Sequence, residues 1–233
     1  MRCLAMVFLL IALPGHGSES TPACVLPSSI ERARPVRVDC ANRSAPTHYV
    51  LALTWSPQFC ATAIGADADT RFQCRDNRFG FAVHGLWAQA KDARDKCDQP
   101  RHCGGGVVSD SLVRSHLCTM PGVQLIQAQW QKHGTCSGLS QRDWFATIDS
   151  LWDGLSLPDP RRMVGPGGTI SVKELRDSVA ARNRSKGVTS ASVRVDSRDG
   201  KLEELRLCYT TGFRSMPCPQ GTGISSGRLR VAR

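Results

Sequence analysis

Ten cysteines, at positions 24, 40, 60, 74, 97, 103, 118, 136, 208 and 218, are spread along most of a 233-residue chain. No other feature restricts the fold as strongly, because paired cysteines must bring their backbones to within roughly 6 Å of one another. An eleventh, Cys3, lies in a segment with the pattern of a secretory leader: Arg2, an apolar run from Leu4 to Leu13, then Pro14 and small residues to Gly17. The run is too short to cross a membrane and remain there. Cleavage after Gly17, Ser20 or Ala23 fits, so residues 1–23 are read as a signal peptide. Its removal leaves an even number of cysteines and allows five disulfides in an oxidising compartment. Metal binding is the alternative, but the chain has no C-x-x-C pair and its spacings are irregular. Cys208 with Cys218, and Cys60 with Cys74, are close enough in sequence to pair locally.

Residues 24–233 suit a single domain, since neither an internal repeat nor a separating linker interrupts them. The most linker-like stretch, Leu157 to Thr169, reads as a loop between helices. No later run is apolar enough for a bilayer, so the mature chain is expected to be a soluble monomer, secreted or periplasmic. The formal net charge is +10, which favours polyanionic partners. On charge alone nucleic acid, anionic membrane and anionic polysaccharide all qualify.

Tyr49 to Trp55 is an apolar run stopped by Ser56-Pro57 and reads as a buried strand. Gly80 to His84 reads as a second, with Phe81 and Val83 on one face and Ala82 and His84 on the other. His84 then leaves the sheet where Gly85 lets the backbone turn. From Val123 the period becomes helical: Val123, Ile126 and Trp130 form an apolar stripe, while Gln129, Lys132 and His133 share another face until Gly134 stops the helix. Further helices are expected over Arg142 to Asp153 and from Ser171, where Ser171 and Glu174 form a capping-box pattern. Strands at Ala191 to Asp196 and Leu202 to Tyr209 flank the turn signal Ser197-Arg198-Asp199-Gly200. Strands and helices mix without βαβ alternation. The expected class is α+β, with a largely antiparallel central sheet surrounded by helices and stabilised by disulfides.

Two strings carry chemistry: Val83-His84-Gly85-Leu86-Trp87 and Trp130-Gln131-Lys132-His133-Gly134-Thr135-Cys136. Cleaving RNA without a metal uses its own 2′-hydroxyl as nucleophile, so one group must take that proton and another must protonate the departing 5′-oxygen. A cation then stabilises charge on the phosphorus. Two imidazoles suit the first tasks, because a pKa near about 6.5 lets one be neutral and the other charged at mildly acidic pH. Lys132 suits the third. DNA lacks the 2′-hydroxyl and is not expected to be cleaved.

His84-Gly85-Leu86-Trp87 and Lys132-His133-Gly134-Thr135-Cys136 resemble the two active-site segments of the ribonuclease T2 family, the acid, base-nonspecific endoribonucleases of the Rh and S-ribonuclease group. Tyr49 to Cys60 is similar to that family's first core strand, and Arg206-Leu207-Cys208 through Cys218-Pro219 to its C-terminal disulfide segment. The resemblance spans about residues 48 to 219. It implies His133 as general base, His84 as general acid and Lys132 as stabiliser of the phosphate, with Trp87 packed against the site. It also implies that Cys136 ties the helix end to the loop after His84, through Cys97 or Cys103. No cofactor or metal is implied, and RNA is the expected partner.

Three positions depart from the family pattern. Gln129 replaces the usual glutamate four residues before the second histidine, Ala128 a frequent third histidine, and Ala88 the proline after the first tryptophan. An amide can bond a phosphate oxygen or orient His133, but it supplies no negative charge. One alternative is therefore an RNA-binding relative whose activity has weakened or decayed. Another is a metal-dependent phosphodiesterase, although the chain lacks the clustered carboxylates such sites use. His48, His102 and His116 stand outside any motif and read as structural or surface groups. Trp55, Trp144 and Trp152 read as core rather than as platforms for bases. Asn42-Arg43-Ser44 and Asn183-Arg184-Ser185 match glycosylation acceptors, relevant in a eukaryotic source.

Overall fold

A computed structural model describes residues 24–233 apart from 64 and 66; the expected leader lies outside the described residues. The apolar run becomes the central strand β1 (His48–Trp55), in which every residue but Thr54 is buried. β1 pairs antiparallel with β2 (Phe81–Gln89) on one side and with β5 (Lys201–Tyr209) on the other. β4 (Val193–Arg198) pairs antiparallel with β5. Short β3 (Thr169–Ser171) and β6 (Arg228–Arg230) pair with each other and join β5 through one parallel pair, Lys201 with Arg230. The helices are α1 (Ser56–Thr62), α2 (Ala68–Arg71), α3 (Asp110–His116), α4 (Val123–Lys132), α5 (Gln141–Asp153) and α6 (Val172–Arg182). The α+β architecture expected from the sequence is the one observed.

Alternation along the strands assigns the two faces of the sheet. Leu51, Leu53, Leu205 and Leu207 point into the main core with Val113, Ile126, Trp144, Phe145, Ile148 and Leu175 from the helices. The opposite face carries a small cluster of Val50, Cys208 and Cys218, flanked by Trp87 and Met216. Helix starts follow sequence rules. Ser140 caps α5 through the Asp143 amide and Ser171 caps α6 through the Glu174 amide. The β4–β5 turn places Asp199 and Gly200 at φ 52° and 70°, the two left-handed residues that a tight hairpin of this hand demands.

Several boundaries differ from expectation. β2 does not end at His84 but runs on to Gln89. The 157–169 loop contains a 3₁₀ turn (Pro160–Met163) and leads into β3. Gly134 does not adopt a left-handed cap. It opens a 3₁₀ turn (Gly134–Cys136), and a Cβ there would meet Trp130 at 2.3 Å and Trp144 at 3.0 Å, so close packing under two indoles explains the glycine. Five disulfides join Cys24–Cys118, Cys40–Cys97, Cys60–Cys74, Cys103–Cys136 and Cys208–Cys218. The first two fasten the segment before β1, which forms a single bridge, Asn42 with Arg101, and otherwise has neither helix nor strand.

Candidate active site

The pairing of β1 with β2 shifts register between Ala52 and Leu53: Gly85 faces Ala52, Val83 faces Leu53, and His84 is the extra residue. A β-bulge of this kind turns the bulged residue and its neighbour to the same side of the sheet. Val83 before the bulge and Leu86 after it can therefore both enter the main core. His84 projects from the other face, beside Trp87.

There His84 meets a group that its sequence neighbourhood does not announce. Its Nδ1 lies 2.5 Å from Oε1 of Glu204, on β5 two strands away. Oε2 of Glu204 accepts from Nε and a terminal nitrogen of Arg206 at 3.1 and 3.0 Å, and Arg206 is also paired with Asp196. Burial alone would push the Glu204 carboxyl up. The bonds and charges of His84 and Arg206 outweigh that, and hold it below the usual carboxylate range. Glu204 and Arg206 were missed in the sequence, where the legible signal was an opposite-charge pair two residues apart, hence on one face, of a strand whose other face carries Leu205 and Leu207.

Trp87 occupies the same face. Its ring centre is 5.2 Å from His84 and 5.8 Å from His133, and the Arg206 guanidinium lies 5.1 Å over it. The indole nitrogen donates to Oε1 of Gln129 at 2.8 Å. Gly85 makes that approach possible, since a Cβ there would stand 2.1 Å from the same oxygen. Close packing of β2 against α4, rather than a turn, is thus what position 85 requires.

α4 packs along β2 and delivers Gln129, Lys132 and His133. His133, the residue that ends the helix, is buried, and its Nδ1 has no hydrogen-bond partner among the described residues. Burial first, then the charges of Lys132, Arg101, His84 and His102, hold its imidazole well below the usual histidine range. Its surroundings thus disfavour the protonated form. Lys132 is half-buried, and burial together with Arg101 lowers its ammonium pKa against the opposing pull of Asp39. Asp39, from the segment before β1, also contacts Lys96 at 2.9 Å, Arg101 at 3.0 Å and the His102 ring at 3.3 Å.

Of the residues singled out in the sequence, His84, Gln129 and His133 therefore gather around Trp87, and Lys132 stands next to His133 in the chain, close enough for its charge to act on that imidazole. Cys136, at the end of the α4 turn, is bridged to Cys103, while Cys97 goes to Cys40. The other histidines among the described residues have structural partners. His102 donates its backbone N–H to the Lys132 carbonyl, His116 bonds Asp149 and packs on Phe145, and His48 is buried beside Thr47. Trp55 and Trp144 are core residues and Trp152 packs on the core. Neither acceptor asparagine presents a free amide: Asn42 bonds the Cys97 and Asp98 carbonyls, and Asn183, buried, bonds those of Ser156 and Val179.

A family profile described as the ribonuclease T2 family matches residues 46–218. The chain belongs to the ribonuclease T2 family. Among its relatives it is 39% identical over 186 residues to a probable ribonuclease of Haemophilus influenzae, covering 76% of this chain and 63% of that protein. It is 37% identical over 104 residues to a ribonuclease of Aeromonas hydrophila, covering 45% and 44%. The chain thus spans less than two thirds of the length of these two relatives. Its fold resembles that of trichomaglin, an S-like ribonuclease, with a TM-score of 0.63 at 17% identity over 81% of this chain and 98% of that one. His84, Trp87, Gln129, Lys132, His133, Glu204 and Arg206 all lie within the stretch matched by the T2 profile.

Proposed function

We propose that this T2-family protein is an exported endoribonuclease that cleaves single-stranded RNA by transesterification without a metal ion. His133 takes the proton of the 2′-hydroxyl, whose oxygen attacks the adjacent phosphorus. The P–O5′ bond breaks, and His84 gives its proton to the departing 5′-oxygen, leaving a 2′,3′-cyclic phosphate. Water then opens the ring with the two histidines in exchanged roles, towards a 3′-phosphate. Lys132 and the Gln129 amide face the charge that develops on the phosphate.

The observation that carries this reading is the contrast between the two imidazoles flanking Trp87. His133 is buried among cations, which disfavour its protonation and suit a base, whereas His84 is bonded to a carboxylate, which suits a proton donor. The ten paired cysteines favour an oxidising compartment. Among the described residues no group of three or more His, Cys, Asp or Glu is arranged to hold a metal, and no helix is long and apolar enough to cross a membrane.

Digestion of total RNA in EDTA, beside a His133→Ala control, tests the proposal. Cleavage by the unaltered protein alone, with products ending in 2′,3′-cyclic phosphate, is expected. Activity lost in EDTA and restored by a divalent cation overturns the metal-free mechanism, and RNA binding without cleavage overturns the enzyme.

A further inference from the structure

We infer that Glu204 is the positioning residue of the leaving-group acid: its carboxylate clamps Nδ1 of His84 so that Nε2 faces the departing 5′-oxygen. The inference rests on the assignment of His84 as acid made above. It locates the anionic partner of the catalytic pair on β5, on the acid's side of the site, whereas position 129 in α4 has only an amide.

Three observations converge on this. The first is reach. β2 and β5 are separated by β1, about 10 Å of sheet, yet the side chains meet because the bulge lifts His84 onto the face that carries Glu204. The second is fixation. Glu204 is buried, and its second oxygen is held by Arg206, whose other terminal nitrogen donates to the Thr222 carbonyl at 2.8 Å, so the carboxylate has little freedom to turn away. The third is chemistry. An ionised carboxylate can only accept a hydrogen bond, so the proton shared with Glu204 belongs on Nδ1 and the transferable proton on Nε2. A purely structural ion pair between Glu204 and Arg206 would need no contact with His84.

The two roles are separated by changing the leaving group. A dinucleotide loses a 5′-alkoxide, which must be protonated, whereas a nucleoside 3′-(4-nitrophenyl phosphate) loses 4-nitrophenolate, which leaves without help. Glu204→Gln is expected to lower kcat on the dinucleotide by about 10- to 100-fold, part of what a general acid supplies. KM and the rate on the nitrophenyl ester should stay close to those of the unaltered protein. His84→Ala is expected to show the same selectivity more strongly, and adding Glu204→Gln to it should cost nothing further. Should Glu204→Gln fold poorly, Glu204→Asp keeps the charge beside Arg206 while withdrawing it from His84, and the same selectivity is expected. Equal losses on both substrates in the Glu204 variants, or losses that add to those of His84→Ala, overturn the inference and leave the acid assignment standing. Equal losses on both substrates for His84→Ala itself overturn the assignment, and the inference with it.

Discussion

The indole nitrogen of Trp87 stands 2.8 Å from Oε1 of Gln129. An indole N–H can only donate, so the carbonyl end of that amide is committed to Trp87. The amino end makes no hydrogen bond among the described residues. It is the end available to a phosphate oxygen.

Replacing Gln129 by glutamate keeps the acceptor for Trp87 and adds a negative charge near His133. Protonated His133 is thereby favoured, so the acidic limb of kcat/KM should lie at higher pH in Gln129→Glu than in the unaltered protein, with turnover raised. Two pH profiles on a dinucleotide substrate measure this. Coincident profiles with equal rates would remove any catalytic meaning from position 129.

Gly85→Ala drives a methyl group into the oxygen that Trp87 holds. Overpacking of this kind costs about 1–3 kcal/mol of stability, and the displaced amide should lower kcat more than it raises KM. Urea unfolding and steady-state kinetics on one preparation follow both effects. Unchanged kinetics would mean that the contact serves packing alone.

Burial depresses the pKa of His48, His102 and His133, aided at the last two by nearby cations. The unfolded chain takes up protons near about pH 6.5 while the folded chain resists them. Below that pH the unfolded state binds more protons, so these three histidines contribute stability that is present above pH ~6.5 and is lost as pH falls. Denaturant midpoints at pH 7.5 and 5.5, about one unit either side of the ordinary histidine pKa, should show the drop. His133→Asn should lessen it, and an identical slope in that variant would show that His133 does not contribute.

Cys103–Cys136 closes a separation of 33 residues and Cys24–Cys118 one of 94. Loop entropy assigns them about 4 and about 5 kcal/mol respectively. Only the first ties down the turn after His133, where Thr135 also accepts from the Cys103 amide at 3.1 Å. Serine pairs at either bridge should lower the unfolding midpoint, but only Cys103→Ser with Cys136→Ser should lower kcat on RNA under native conditions. Equal kinetic losses from both pairs would contradict that placement.

Much of the fold was legible because periodicity is local. The β1 run, the β4–β5 hairpin with Asp199-Gly200, and the α4 stripe follow from side-chain alternation and turn chemistry within a few residues. Short α1, α2, α3, β3 and β6 were not read, since elements of three to seven residues carry too few repeats to show a period.

By itself the sequence determined the two histidine strings, the ten cysteines from residue 24 onward and the mixed architecture, and through its motifs the family. What only the tertiary structure decided is the company those histidines keep. His84 and Glu204 are 120 residues apart, and their contact depends on a one-residue bulge in β2 and on the order β2-β1-β5 in the sheet. A residue's face is set by its immediate neighbours. Its partner across two strands is set by register, and register is fixed by the packing of the whole sheet against its helices.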